Sequence, residues 1–147
     1  MSTKEFKNKQ AYFHYQIDDK YIAGIVLLGT EVKSIREGKV SFNDSYCFLD
    51  RGECWVRGLY ISEYSHGNQN NHIPVHDRKL LLTKRELKKL AAGTKEKGFT
   101  IIPLRVFFND KNLAKLEIGL ARGKKVHDKR ESIKARDTER ELRRIVK

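Results

Sequence analysis

Phe99 to Phe108 and Leu113 to Ala121 are the part of this chain that most restricts its fold. In the first segment Ile102, Leu104, Val106 and Phe108 share one face, and in the second Leu116, Ile118 and Leu120 do the same. Side chains two apart along an extended chain point the same way, so each segment reads as a strand with one face turned to a core. Asn109-Asp110-Lys111-Asn112 lies between them and consists of turn formers, which makes the pair an antiparallel hairpin. Pro103 has no N–H to give to a ladder, so it marks an edge or a bulge within the first strand.

The remaining strands are shorter. Phe13, Tyr15 and Ile17 alternate with Tyr12, His14 and Gln16, a period-two pattern, and Ile22 to Leu28 is nearly continuously apolar, as in a strand covered on both faces. Tyr46 to Leu49 and Glu53 to Ile61 flank Asp50-Arg51-Gly52, a second hairpin turn. That makes six strands.

Two short helices interrupt them. Thr30 suits the cap of one, with Val32 and Ile35 facing inward and Gly38 as its stop. The other begins at Thr83, which forms a capping box with Glu86, while Leu82 and Leu87 hold the hydrophobic-staple positions. Gly93 suits its left-handed C′ residue. Leu87, Leu90 and Ala91 form its apolar stripe, and Lys84, Arg85, Lys88 and Lys89 point outward. The expected fold is mainly β with short helices. A closed six-stranded antiparallel barrel of the oligonucleotide-binding type, occupying residues 1–123, is the best fit, with a sandwich or an open α+β sheet as the alternatives.

Residues 124–147 differ in character. They contain ten Lys or Arg and five Asp or Glu, with Val126, Ile133, Leu142, Ile145 and Val146 too widely spaced for one apolar helix face. Such a segment buries too little apolar area to offset its ordering entropy. A basic tail, disordered alone and helical against a polyanion, is the expectation. The formal net charge of +12 points to the same class of partner.

Enzyme chemistry has little to stand on. His66 and His72 sit in a polar loop with Asn68, Asn70 and Asn71, without a thiol or a carboxylate at metal-ligand spacing. Cys47 and Cys54 match no common zinc spacing and read as reduced strand residues. No glycine-rich phosphate loop occurs, and neither Ser41 nor Ser45 has a nucleophile-elbow context. No catalytic residue, metal or cofactor is expected. The Lys-rich start lacks the apolar region of a secretory signal, and no run reaches a membrane-spanning length, so a cytoplasmic protein without membrane association is expected.

Three basic clusters remain. One runs from Arg78 and Lys79 to Lys84 and Arg85, one is Arg122-Gly123-Lys124-Lys125, and one joins Lys4, Lys7 and Lys9 to the aromatics Tyr12 and Tyr15. Cations interleaved with rings suit RNA, whose unpaired bases stack on aromatics while Lys and Arg meet phosphates. His127-Asp128-Lys129-Arg130 opens the tail with an imidazole able to stack on a base. A general RNA chaperone and an RNA-processing enzyme are the competing classes; the missing acid–base pair and metal ligands weigh against the second.

Several separated blocks now assemble in order. They are Ala23-Gly24-Ile25-Val26-Leu27, Gly29-Thr30-Glu31-Val32-Lys33-Ser34, Asp44-Ser45-Tyr46, Arg78-Lys79-Leu80-Leu81-Leu82, and the long run Gly119 to Arg130. Together they closely resemble the bacterial SsrA-binding protein family, also called small protein B, over roughly residues 8 to 147. The resemblance implies an oligonucleotide-binding-type barrel that binds the tRNA-like domain of transfer-messenger RNA and delivers it to stalled ribosomes for trans-translation. It further implies a tail that enters the empty mRNA channel and becomes helical there.

By the same resemblance, Asn8, Lys9, Tyr15, Leu81, Lys124 and Lys125 face RNA, joined by Arg78 and Lys79 from the first basic cluster. His127, Asp128, Lys129 and Arg130 are implied at the decoding site, with His127 stacking on a base. The implied partners are transfer-messenger RNA, the ribosome through 16S rRNA, its decoding centre and mRNA channel, and elongation factor Tu through the RNA complex; a monomer is expected. Ile22 stands where many members carry a carboxylate, and Thr83 where an Asn is common.

Overall fold

The computed structural model describes residues 5–65 and 71–124. Its elements are β1 (Glu5–Lys7), α1 (Lys9–His14), β2 (Tyr15–Ile25), α2 (Gly29–Arg36), β3 (Val40–Ser41), β4 (Tyr46–Asp50), β5 (Glu53–Arg57), β6 (Tyr60–Ile61), β7 (Arg78–Leu81), α3 (Lys84–Thr94), β8 (Phe99–Phe108) and β9 (Ala114–Gly123). The molecule is mainly β with a few short helices, as expected.

The β8–β9 hairpin forms from Phe99↔Arg122 to Phe108↔Ala114, and its register shifts between Pro103 and Arg105. Pro103 therefore sits at a bulge, as its missing N–H requires. The turn is tied by Asn109, whose Oδ1 accepts from the backbone N–H groups of Lys111 and Leu113 at 3.0 and 2.9 Å. In the β4–β5 hairpin Arg51 and Gly52 both have positive φ, at 54° and 78°, the geometry of a two-residue turn that matches strand twist.

Pairing runs β8-β4-β5-β7-β2-β9, and β9 pairs again with β8. The narrowest link is β4–β8, joined at Cys47↔Ile101 alone, because β1 takes the same edge of β8 at Arg105, Val106 and Phe107. Inward-facing Ala23, Val56, Leu80, Val106, Leu116 and Ile118 form the main core. A smaller cluster of Ala11, Ile102, Leu104 and Ala121 lies beneath α1. Cys47 and Cys54 are free and buried, and burial holds both thiols above their ordinary pKa, Cys54 at about 11.

Several sequence expectations need correction. Residues 9–14 are helix α1, not strand: Tyr12 and Phe13 are exposed, and Ala11 is the buried position, so the aromatic alternation there is not an alternation of burial. The two expected strands around Ile17 and Ile22 are one, β2, which continues past a bulge between Ile17 and Asp19. With β1, β3, β6 and β7 added, the described residues hold nine strands rather than six. Finally, Leu28 rather than Thr30 caps α2; the Leu28 N–H donates to Glu31 Oε1 at 2.8 Å, and the Thr30 hydroxyl turns to His72 Nδ1 at 2.8 Å.

The capping box of α3 forms as expected, with Thr83 Oγ1 accepting from the Glu86 N–H at 3.1 Å and Glu86 Oε1 accepting from the Thr83 N–H at 2.9 Å. Gly93, however, lies inside the helix rather than at a left-handed C′ position.

Candidate nucleic-acid interface

The expected RNA-facing residues fall into two groups set by the length of β2. At its start, Asn8 precedes α1 and is fixed on β8: its N–H donates to the Leu104 carbonyl and its Nδ2 to the Pro103 carbonyl, both at 2.8 Å. Both carbonyls lie at the register shift in β8, so Asn8 is tied to the bulge. Lys9 opens α1 and is exposed. Tyr15 pairs with Gly123 and packs half-buried on the small cluster under α1. The Lys124 N–H donates to the His14 carbonyl at 3.0 Å, which brings exposed Lys124 to the same end.

α1 contributes to two clefts here. Asn8, Gln10, His14, Tyr15, Asn43 and Ser45 line one of about 430 Å³. Amide edges beside a tyrosine ring are what an unstacked base can use. The second, of about 590 Å³, is lined by Lys7, Lys9, Tyr12, Lys20 and Arg105 among others, with Lys20 Nζ 5.3 Å from the Tyr12 ring centroid. Gln10, His14, Asn43 and Lys20 were not singled out from the sequence; their placement depends on α1 and on the Phe42–Ser45 loop, neither of which has a local signature.

The second group lies toward the other end of β2. Gly24 pairs with Leu81, nine residues and about 30 Å of strand from Tyr15. Leu81 is 53% exposed, beside the exposed apolar residues Ile22 and Val26 of the same sheet face. Lys79 pairs with Trp55 and its Nζ lies 2.8 Å from Glu53 Oε2, half-exposed.

Arg78 does not belong to this surface. It is 1% exposed, and its guanidinium donates to Glu31 Oε2 at 2.7 Å, to the Leu59 carbonyl at 2.6 Å and to the Pro74 carbonyl at 3.0 Å. The sequence expectation for Arg78 is corrected accordingly: every N–H of a buried guanidinium must be matched, and here the protein itself matches them. Burial pushes the Glu31 carboxyl up, but the Leu28 N–H, Arg78 and His76 outweigh it and hold Glu31 below the usual carboxylate range. His76 joins through Nε2, 2.8 Å from Glu31 Oε2.

His72, although it comes from a polar loop, is likewise interior. The Ile61 carbonyl at 2.9 Å fixes a proton on Nε2, and Thr30 Oγ1 meets Nδ1. His66, Lys125, His127, Asp128, Lys129 and Arg130 lie outside the described residues.

Two of the arginines nearby are already matched. Arg57 meets Asp77 through two contacts at 3.0 and 2.9 Å, and Arg105 meets Glu117 and Glu5, each at 2.7 Å. That hydrogen bond from Arg105 holds Glu5 below the usual carboxylate range. Lys9 and Lys124 carry no such partner among the described residues.

A family model described as SmpB protein matches residues 5–147. The chain belongs to the SmpB protein family. It is 54% identical over 141 residues to the SsrA-binding protein of Bacteroides thetaiotaomicron, covering 96% of this chain and 94% of that one. The SsrA-binding protein of Cytophaga hutchinsonii is 54% identical over 151 residues, covering 99% of each. Among solved structures, a chain from one described as "tmRNA-SmpB: a journey to the center of the bacterial ribosome" superposes with a TM-score of 0.71 at 45% identity, covering 82% of this chain and 85% of that one. For an SmpB-family chain, the surface just described divides into an α1–Tyr15–Lys124 end and a Lys79–Leu81 end on one β2 strand. Among the described residues no helix is long and apolar enough to cross a membrane.

Proposed function

We propose that this chain binds the tRNA-like domain of transfer-messenger RNA and delivers it to stalled ribosomes for trans-translation, without catalysis of its own. Membership of the SmpB family over residues 5–147 carries this reading. The structure supports it through exposed Lys9, Lys124 and Leu81 and the ring of Tyr15, which are the means by which a folded RNA is gripped through phosphates, stacking and shape. The pairing path β8-β4-β5-β7-β2-β9, six of the nine described strands, returns to β8 and supports a closed six-stranded barrel of the oligonucleotide-binding type, ending at Gly123 where β9 ends.

In the same reading residues 124–147 form the second functional part. They are disordered alone, enter the empty mRNA channel and become helical there, with Lys125 on the RNA and His127, Asp128, Lys129 and Arg130 at the decoding centre of 16S rRNA. Elongation factor Tu joins through the RNA, and the protein acts as a cytoplasmic monomer. A competition assay tests the RNA preference: the tRNA-like domain displaces labelled complex at far lower concentration than bulk tRNA. Equal displacement would make this a general RNA binder.

A further inference from the structure

α3 carries its charge against its own stability. Lys84 and Arg85 occupy the first turn, where the positive end of the helix dipole disfavours cations, and the last turn holds no basic residue. Lys84–Lys88 and Arg85–Lys89 are like-charge pairs four apart, each destabilising an isolated helix by about 0.2–0.5 kcal/mol. Glu86, the one acid in the helix, has its carboxylate engaged by the Thr83 N–H in the capping box. A helix shaped only for packing would have the opposite arrangement.

The four cations also stand free of ion pairs among the described residues, as Lys9 and Lys124 do, and here they stand together in one row. Arg57, Arg78, Lys79 and Arg105 each have a carboxylate within 3 Å, whereas no ion pair among the described residues reaches Lys84, Arg85, Lys88 or Lys89. All four are exposed. At 100° per residue they cover an arc of about 140° on the side away from Leu90, which is fully buried. Leu82 and Leu87 clamp the start of the helix to the core, so the row is rigidly presented beside exposed Leu81.

We infer that the Lys84–Arg85–Lys88–Lys89 row of α3 is a phosphate-binding surface for an RNA backbone, extending the contact beyond Leu81. The inference rests on the RNA-binding function proposed above and adds a site to it. The chemistry recognised is a line of phosphates, which transfer-messenger RNA or ribosomal RNA could each supply.

The test replaces the four residues together (K84Q, R85Q, K88Q, K89Q) in the full chain. Gln keeps helix propensity and removes the repulsion, so the melting temperature should hold or rise. Binding of the tRNA-like domain is titrated with salt, and co-sedimentation with 70S ribosomes is measured in parallel. If the row meets transfer-messenger RNA, the slope of log K against log salt falls by about three and affinity drops on the order of 10²- to 10³-fold near 0.1 M salt. If it meets ribosomal RNA, that slope stays and ribosome co-sedimentation falls instead. Unchanged values in both assays, with helix content retained, would overturn the inference while leaving the wild-type preference for the tRNA-like domain intact.

Discussion

Arg78 of β7 and Glu31 of α2, forty-seven residues apart, form a buried ion pair with a 2.7 Å contact, both side chains almost wholly excluded from solvent. The pair joins the first turn of α2 to the strand that feeds the Leu81 surface, and Leu59 and Pro74 carbonyls complete it. It explains why a cation next to exposed Lys79 faces inward. Burying charge is tolerable only when each donor and acceptor is matched, and here they are.

Replacing Arg78 with Leu should therefore be read in stability rather than in RNA binding. The substitution strands a buried carboxylate, with an expected loss of about 3–5 kcal/mol. Urea denaturation measures that loss. In the folded fraction, the salt dependence of RNA binding should match wild type; a slope lower by one would mean that Arg78 reaches a phosphate after all.

Glu31 sets the acid limb of stability. Its folded pKa lies below the ordinary value of 4.5, so the carboxylate stabilises the fold at pH values above the ordinary one. That contribution disappears as pH falls through the folded value, when Arg78 and His76 lose their shared acceptor. Glu31→Gln should be less stable near neutrality and show a shallower decline between about pH 5 and pH 3. Melting temperatures across that range would show parallel curves if Glu31 were irrelevant to acid unfolding.

Gly93 and Leu120 give a packing prediction. A Cβ on Gly93 would lie 2.4 Å from Leu120 Cδ2, so α3 rests on β9 through a missing side chain. Ala improves helix propensity by about 1 kcal/mol over Gly, yet overpacking costs about 1–3 kcal/mol, so Gly93→Ala should destabilise on balance. Pairing it with Leu120→Ala should recover part of the loss. A melting temperature above wild type for the single variant would mean that Leu120 moves aside freely.

How much of this was legible in the sequence depends on range. The β8–β9 hairpin, the Pro103 bulge and the Thr83–Glu86 box are local patterns, and each occurs where its residues predict. The register shift at the bulge, however, splits the face expected of β8, sending Ile102 and Leu104 to the small cluster and Val106 and Phe108 to the main core. α1 was hidden because Tyr12 and Phe13 imitate strand alternation while both are exposed; only Ala11 carries the burial signal. β7 was hidden because Arg78-Lys79 looks like surface charge, and only the distant Glu31 turns Arg78 inward. The candidate interface was legible as residue types but not as geometry: the separation of Tyr15 from Leu81 follows from β2 being one strand.

That separation makes the two ends independently testable. Leu81→Asp places a charge on an exposed apolar site, so stability should change by less than about 0.5 kcal/mol. RNA affinity should fall at least tenfold, through lost contact and repulsion of phosphate. Tyr15→Ala should lower affinity too, by the 1–3 kcal/mol of one base stack, while also loosening the cluster under α1. Because the two positions lie about 30 Å apart along β2, the double variant should show additive losses in a gel-shift titration. Strong non-additivity would place both on one local contact.

The tail yields the sharpest separation of roles. Residues 129–147 carry eight Lys or Arg against four Asp or Glu and few apolar residues, so the proposed division predicts that they add little to the stability of the rest of the chain. A chain stopped before Lys129 should keep the melting temperature and most of the affinity for the tRNA-like domain, with peptide tagging on stalled ribosomes abolished. His127→Ala, which removes one stacking group, should reduce tagging by less than the truncation. Parallel loss of RNA binding and tagging in the truncated chain would show that one surface serves both, and that the proposed division at Gly123 is wrong.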